Sequence, residues 1–283
     1  MTIELRQVRA EDVPELGRIC CEAFKDISES HGFETDFPSI EFGQQVVGML
    51  TAQEDVYGVA AFDGDAPKGS NFLELWDEVA GIGPVSVDVS SQGDGIGRKT
   101  MENVVAHARE RGFQQVRLCQ DSFNMRSLAL YASVGFVVKE PLSFMALATT
   151  NTPDATFRPA TVGDLDAMDE LCRSIHGFSR RNETERLMSF GFPAFVVDNG
   201  GLRGYLLGTA MGHGVARSDA DMVALVNGLG ATAPDSHTLI PLRNGALYRG
   251  LIGAGHKNQK VMNLMALGEY EDPKGTFCPS VLF

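Results

Sequence analysis

The stretch that most constrains this chain is Val85-Ser-Val-Asp-Val-Ser-Ser-Gln-Gly-Asp-Gly-Ile-Gly-Arg98. Val85, Val87 and Val89 alternate, which predicts a strand over 83–89 with the three valines on one face. Downstream, Met101, Val104, Val105 and Ala108 recur at the spacing of one helix face and predict a helix over 95–111. Gly93, Gly95 and Gly97 lie between the two. Glycines at a strand-to-helix turn let backbone N–H groups approach a ligand closely. A helix start adds about four unpaired N–H donors and roughly half a positive charge. The combination predicts an anion site suited to a phosphate or pyrophosphate.

Two familiar nucleotide turns fail here. A P-loop needs Gly-x-x-x-x-Gly-Lys-Ser/Thr, but Gly93 to Gly97 is one residue short and Arg98 precedes Lys99-Thr100. A dinucleotide fingerprint needs Gly-x-Gly-x-x-Gly at the start of its βαβ unit, whereas Gly93-x-Gly95-x-Gly97 comes well into the domain. What is present is Gln92-x-x-Gly95-x-Gly97, then a strand at Gln115–Cys119. After it comes Asn124-Met-Arg-Ser127-Leu-Ala-Leu130-Tyr131-Ala-Ser-Val-Gly135-Phe136. In this order the two stretches resemble the paired signatures of the GNAT N-acetyltransferase superfamily.

That resemblance implies an α/β fold, an α+β mixed sheet with helices on both faces, over residues 1–148. It implies acetyl-CoA as co-substrate. The backbone N–H groups of Gly93, Gly95, Ile96, Gly97 and Arg98 would hold the pyrophosphate. Gln92 would brace the turn or reach a phosphate, and Arg98 would add charge. Val85, Ser86 and Val87 would pair by backbone with the pantetheine arm, the N–H near Val87 polarising the thioester carbonyl. Asn124 resembles the family's pantetheine-contacting asparagine, and Asp94 and Ser127 complete the expected cofactor-binding set. Tyr131 takes the position of the general acid for the departing thiolate, since a phenol of pKa about 10 can donate near neutral pH. The activity implied is direct transfer of acetyl to a primary amine of a small molecule. The alternatives are a protein or peptide N-acetyltransferase and a non-catalytic acyl-CoA sensor. A sensor has no need of Tyr131.

The chain also repeats itself. Arg6, Asp12 and Cys20 fall on Arg158, Asp164 and Cys172, each 152 residues further on. Each copy reads as a short strand, an Asp cap and an amphipathic helix, with Leu16, Ile19, Cys20 and Ala23 as one stripe and Leu165, Met168, Leu171, Cys172 and Ile175 as the other. Thr149–Asp154 reads as a polar linker, so the expected domains are 1–148 and 149–283, two acetyltransferase-like domains in tandem. The second copy reads as degenerate. It has a hairpin over 194–207 turning at Asn199-Gly200 and a helix over 219–227, but His213–Asp219 stands where the glycine-rich turn should be. Asn244–Gly253 only echoes the second signature.

Composition narrows the remaining choices. In 283 residues, 43% are hydrophobic, enough for a substantial core, and the net charge of −13 argues against a nucleic-acid partner and mildly favours a cationic substrate. No apolar run approaches the ~18 residues of a membrane span, and the N-terminus lacks a signal-peptide layout. Five cysteines without a Cys-x-x-Cys pair suit reduced thiols in the cytoplasm. No metal site is expected, and the sequence leaves the oligomeric state open, a homodimer being one arrangement. Glu74, Glu78, Asp88, Glu34 and Asp36 are candidates for a general base, each expected to be a solvated carboxylate. Of the histidines, His31 is best placed to approach an acceptor and His107 is expected to face solvent. Cys119 is expected to pack in the core.

Overall fold

Asp12 and Asp164 begin two copies of one local structure. Arg6 donates twice to the Asp12 carboxylate, both at 2.7 Å, and the Arg9 N–H donates to it at 2.8 Å. Arg158 donates twice to Asp164, at 2.9 and 2.7 Å, and the Thr161 N–H donates at 2.8 Å. Burial alone would raise the Asp12 carboxyl, but the Arg6 guanidinium outweighs it and holds the pKa below the usual range. Contrary to the sequence expectation, neither aspartate caps the following helix through its side chain; each accepts instead from the N–H three residues before it, at the start of a 3-10 turn.

The computed structural model describes residues 2–283. From these starts the chain runs through β1 (Ile3–Gln7), α1 (Val13–Ser30), α2 (Ile40–Thr51), β2 (Val56–Asp63), β3 (Ala66–Glu74), β4 (Ala80–Val87), α3 (Ile96–Glu110), β5 (Gln115–Asp121), α4 (Met125–Ser133) and β6 (Val137–Ala146). The same order follows as β7 (Phe157–Pro159), α5 (Leu165–His176), α6 (Arg181–Ser189), β8 (Ala194–Asp198), β9 (Leu202–Leu207), β10 (Gly214–Ala216), α7 (Asp219–Thr232), β11 (His237–Pro241), α8 (Gly245–Gly253) and β12 (Lys257–Gly268). A short β13 (Thr276–Cys278) ends the series. The fold is α/β, and its element order occurs twice.

Two compact units form. The first holds the residues up to Arg117 together with Phe123–Val137; the second holds Leu118–Ser122 and Val138–Phe283. In the first unit β1, β2, β3 and β4 are antiparallel neighbours, and the start of β5 joins β4 in parallel. Helices α1 and α3 cover opposite faces. Ser86 faces the Cys20 thiol of α1, while a Cβ at Gly97 of α3 would lie 3.8 Å from Val87. Both helices bury their expected stripes, Leu16, Ile19, Cys20 and Ala23 on α1 and Met101, Val104, Val105 and Ala108 on α3.

In the second unit the end of β5 lies beside β12, then β6, then β11, and a separate antiparallel sheet runs β13–β10–β9–β8–β7. The place beside β5 is therefore taken by β12, a strand of the second copy, and not by β6 of the first. Polar pairs fix this register: Lys260 to Asp121 at 2.9 Å, Asn263 to Gln120 at 3.0 Å, and Ser143 to Asn258 at 2.6 Å.

Three local expectations change. The strand ends at Val87, and Val89 sits in a 3-10 turn, 42% exposed. Ser86 is the buried member of the run and Val85 and Val87 are half-buried, because α1 closes over one face and α3 only partly covers the other. His107 is half-buried and stacked on Tyr57, ring centroids 3.8 Å apart, so burial lowers its pKa.

A buried polar cluster holds the core of the second unit. Arg180 donates to both Glu183 oxygens at 2.6 and 2.7 Å and to the Phe283 carbonyl at 2.9 Å. Tyr205 Oη lies 3.0 Å from His213 Nε2, and His213 Nδ1 lies 3.7 Å from Glu183. Burial drops the His213 pKa to about 4. Burial would raise Glu183, yet Arg180 overrides it and holds the carboxyl at about 2. Both groups bind protons more weakly folded than unfolded. Their contribution is complete above the unfolded histidine pKa of about 6.5 and is lost as pH falls from there towards 4, then towards 2. The urea midpoint should therefore fall as pH is lowered from 6.5 to 4, and His213→Asn should flatten that slope whatever its own stability. An unchanged slope would show that His213 titrates normally.

Candidate functional site

The first unit contains a strand edge that its own sheet leaves open. Among the described residues, β4 pairs with β5 only at Ala80 with Val116 and Gly81 with Arg117. On its other side β4 stays bonded to β3 as far as Gly69 with Val87, and the Asp88 N–H continues the ladder to the Lys68 carbonyl at 2.9 Å. Antiparallel bonding alternates along a strand, so the backbone groups of Val85 and Val87 face away from β3, toward the edge of the unit's own sheet. An extended ligand can bond such an edge as an added strand would.

The turn after β4 is held by its own polar groups. Asp88 accepts from the Ser90 N–H at 3.0 Å and from the Ser90 hydroxyl. Gln92 reaches back to the Val87 carbonyl at 3.4 Å through Nε2, while its Oε1 accepts from Arg126 of α4 at 2.5 Å. The glycines divide the work. Gly93 and Gly95 have φ of +101° and +80°, a region that L side chains rarely adopt. Gly97 has ordinary helical backbone, but a Cβ there would lie 3.1 Å from Leu130 of α4. Gly95 is the N-cap of α3 and has no side chain to satisfy the first turn, so its N–H groups are left for water or a ligand.

Helix α4 closes the other side. Asn124 caps it by accepting from the Ser127 N–H at 3.0 Å, and the Ser127 hydroxyl donates to the Asn124 carbonyl at 3.0 Å. The cap uses the side-chain oxygen of Asn124, so a ligand contact by this residue would be made through its NH2 group. Tyr131 is buried further along α4, its ring 6.4 Å from that of Phe136. Arg98 donates to Ser133 at 2.7 Å and lies 3.6 Å from Glu102; Asp94 is exposed. The structure thus gathers Gln92, Gly95, Gly97 and Arg98 against α4. It adds Arg126, an arginine that the sequence motif reads only as a variable position.

Residues 6–136 match the model of the acetyltransferase (GNAT) family. This part of the chain is a GNAT acetyltransferase domain. Similar solved structures span nearly the whole chain. A Pyrococcus horikoshii protein assigned provisionally as an acetyltransferase is 19% identical, covers 97% of this chain and 94% of its own, and gives a TM-score of 0.77. A GCN5-related N-acetyltransferase from Sphaerobacter thermophilus is 18% identical, with 95% and 96% covered and a TM-score of 0.65. One from Kribbella flavida is 15% identical, with 94% and 70% covered and a TM-score of 0.57. These likenesses show a shared fold. No curated protein matches the chain.

Acetyl-CoA is the co-substrate of the GNAT domain. The open β4 edge, the uncapped helix start and the two left-handed glycines fit it. Of the five candidate carboxylates, Glu74 and Asp88 are not solvated as expected, while Glu78, Glu34 and Asp36 are. Glu74 is buried, 3% exposed, and lies in one cross-strand row with Gly81 and Arg117. Asp88 is half-buried, and its bonds from Ser90 hold its pKa down, which makes it a weak proton acceptor. Glu78, Glu34 and Asp36 are exposed. His31 is exposed, with its Nδ1 2.9 Å from the Ile27 carbonyl. Cys119 is half-buried and its thiol donates to the Ser280 carbonyl at 3.2 Å.

The second copy has a different helix start. Ser218 caps α7 by accepting from the Asp221 N–H, and Asp219 and Asp221 stand in its first turn. Asp221 is paired twice with Arg203 at 2.9 Å, and Asp219 accepts from Asn244 and Thr276. The helix dipole is met by carboxylates of the chain itself, which would repel a pyrophosphate.

Gly95→Trp or Gly97→Glu should reduce CoA affinity at least ~30-fold, a loss of ~2 kcal/mol, with the circular dichroism spectrum retained. Arg126→Ala and Gln92→Ala should each weaken CoA binding, and the double variant should be no weaker than the worse single. Additive losses would show that Arg126 meets the ligand independently of Gln92.

Proposed function

We propose that this acetyltransferase moves the acetyl group of acetyl-CoA to the primary amine of a small molecule, with Tyr131 as the general acid. The observation that supports the reading most is the conjunction, within one unit, of the open β4 edge, the glycine turn and helix α4 carrying Tyr131. Val85, Ser86 and Val87 would align the pantetheine arm. Gly93, Asp94, Gly95, Ile96, Gly97 and Arg98 would form the pyrophosphate turn, braced by Gln92, while Asn124 and Ser127 fix the start of α4.

Acetyl-CoA supplies an activated thioester. The chemistry left to the protein is the placement of two protons. At pH 7 an ammonium of pKa about 10.4 must give one up, at a cost of about 4.6 kcal/mol. The amine nitrogen then bonds the acetyl carbon and gives up a second proton as the carbon–sulfur bond breaks, and the sulfur takes a proton, so that one proton is released overall. A buried phenol on α4 suits the transfer to sulfur, since a donor screened from water stays oriented.

We infer further that residues 1–148 and 149–283 are two copies of one domain, of which the first alone takes the cofactor. The filled helix start of α7 supports this. A reducing, cytoplasmic setting is supported by five cysteines that are all free thiols.

Release of free thiol from acetyl-CoA, followed across a panel of amines, tests the assignment. Tyr131→Phe should lower kcat by ~100-fold or more at pH 7 while the KM for acetyl-CoA stays within about 3-fold. CoA binding without turnover of any amine, together with an inert Tyr131→Phe, would make the protein a sensor instead.

A further inference from the structure

The segment between α1 and α2, residues 31–39, is an aromatic and acidic wall. The Phe33 ring lies parallel to that of Phe123, centroids 4.4 Å apart and planes 12° apart, and the His31 ring lies 5.3 Å from Phe123. Phe123 directly precedes Asn124, so this stack ties the α1–α2 segment to the start of the helix that carries Tyr131. Phe33 and Phe123 are only half-buried.

Beneath them Phe37 is buried, 4.6 Å from Phe24 and 5.8 Å from Phe42, which anchors the segment. Backbone bonds from Phe33 to Ser28 at 3.0 Å and from Gly32 to Glu29 at 3.1 Å fix its start. The wall is therefore preorganised. Asp26 and Glu29 near the end of α1 and Glu34 and Asp36 in the segment itself are exposed, and Lys25 is the one lysine or arginine between residues 25 and 39, 3.9 Å from Glu29.

Half-exposed parallel rings offer a flat apolar surface that stacks well with another ring and attracts a cation. The carboxylates repel anions and favour an ammonium. A linear polyamine would use the carboxylates and leave the rings without a purpose. We propose that the acceptor is an amine carried on an aromatic or similarly flat apolar group, stacked against Phe33 and Phe123, with its ammonium drawn by the carboxylates of residues 26–36. This rests on the N-acetyltransferase reading above.

The test compares 2-phenylethylamine, spermidine and a lysine-containing peptide as acceptors for the full-length protein, reading free thiol. The expected result is a kcat/KM for 2-phenylethylamine at least ~10-fold above the others. Phe33→Ala and Phe123→Ala should raise its KM ~5- to 20-fold with the KM for acetyl-CoA unmoved. Phe33→Leu, which keeps apolar volume without a flat ring, should resemble Phe33→Ala, and Phe33→Tyr should restore the wild-type value. Preference for spermidine or the peptide, or a KM indifferent to both phenylalanines, overturns the proposal. Calorimetric titration of 2-phenylethylamine into the CoA-saturated protein separates the two readings. Binding lost in Phe33→Ala but without turnover of any amine would sustain the aromatic site and overturn transfer; absence of binding would overturn the site.

Discussion

Everything proposed for the first unit depends on the edge of β4 beyond Gly81, which, among the described residues, no other strand of that unit pairs. A strand with a bare edge carries N–H and C=O groups that need partners, and each left buried and unmet would cost about 1–3 kcal/mol. The chain keeps the edge bare and supports it on every other side. β3 holds the opposite ladder as far as Asp88, Gln92 occupies the Val87 carbonyl, and α1 and α3 pack the two faces. The result is a row of donors and acceptors fixed in direction before any ligand arrives. Preorganised polar groups of this kind lose little on binding, because their ordering cost is already met by the fold.

The two copies show which parts of the design serve folding and which serve chemistry. The Arg–Asp pair at the first helix is the same in both, down to the backbone N–H three residues before the aspartate. So is the asparagine cap, with Asn124 accepting from Ser127 and Asn244 from Leu247. These contacts start helices, which either copy needs. The copies diverge at the fourth strand of each. There the first copy has left-handed glycines and an uncapped helix, and the second has Ser218, Asp219 and Asp221. Filling a helix start with carboxylates stabilises that helix and closes it to anions in the same stroke.

Local chemistry was legible in the sequence wherever it was periodic or capped. The stripes of α1, α3 and α5 and the glycine turn followed from spacing, whereas Asp12 and Asp164, expected as caps, pair with Arg6 and Arg158 and leave the helix N–H groups alone. What was hidden depended on partners distant in sequence. Val89 continued the alternation of Val85 and Val87, yet Asp88 captures Ser90 and ends the strand one residue earlier. Glu74 read as a surface carboxylate because a strand end says nothing about which helix covers it. The insertion of β12 beside β5 turns on pairs such as Lys260 with Asp121, more than a hundred residues apart. Arg126 and the Phe33–Phe123 stack lie at variable positions around the motifs, where only geometry shows what a side chain meets.

The net charge of −13 describes neither of the proposed ligand surfaces. At physiological salt, charges separated by more than about 8 Å are largely screened, so each surface responds to its own neighbours. Around the glycine turn Arg98, Lys99 and Arg126, with the positive end of α3, outnumber the exposed Asp94 within the turn and Glu102, 3.6 Å from Arg98. Around the α1–α2 segment the neighbours are four carboxylates and one lysine. One unit thus presents a basic surface suited to phosphates and an acidic one suited to an ammonium. Such a separation favours a productive order of contacts without any single strong ion pair, which on an exposed surface would contribute under about 1 kcal/mol. The overall acidity keeps the protein soluble, and the local sign decides what binds where.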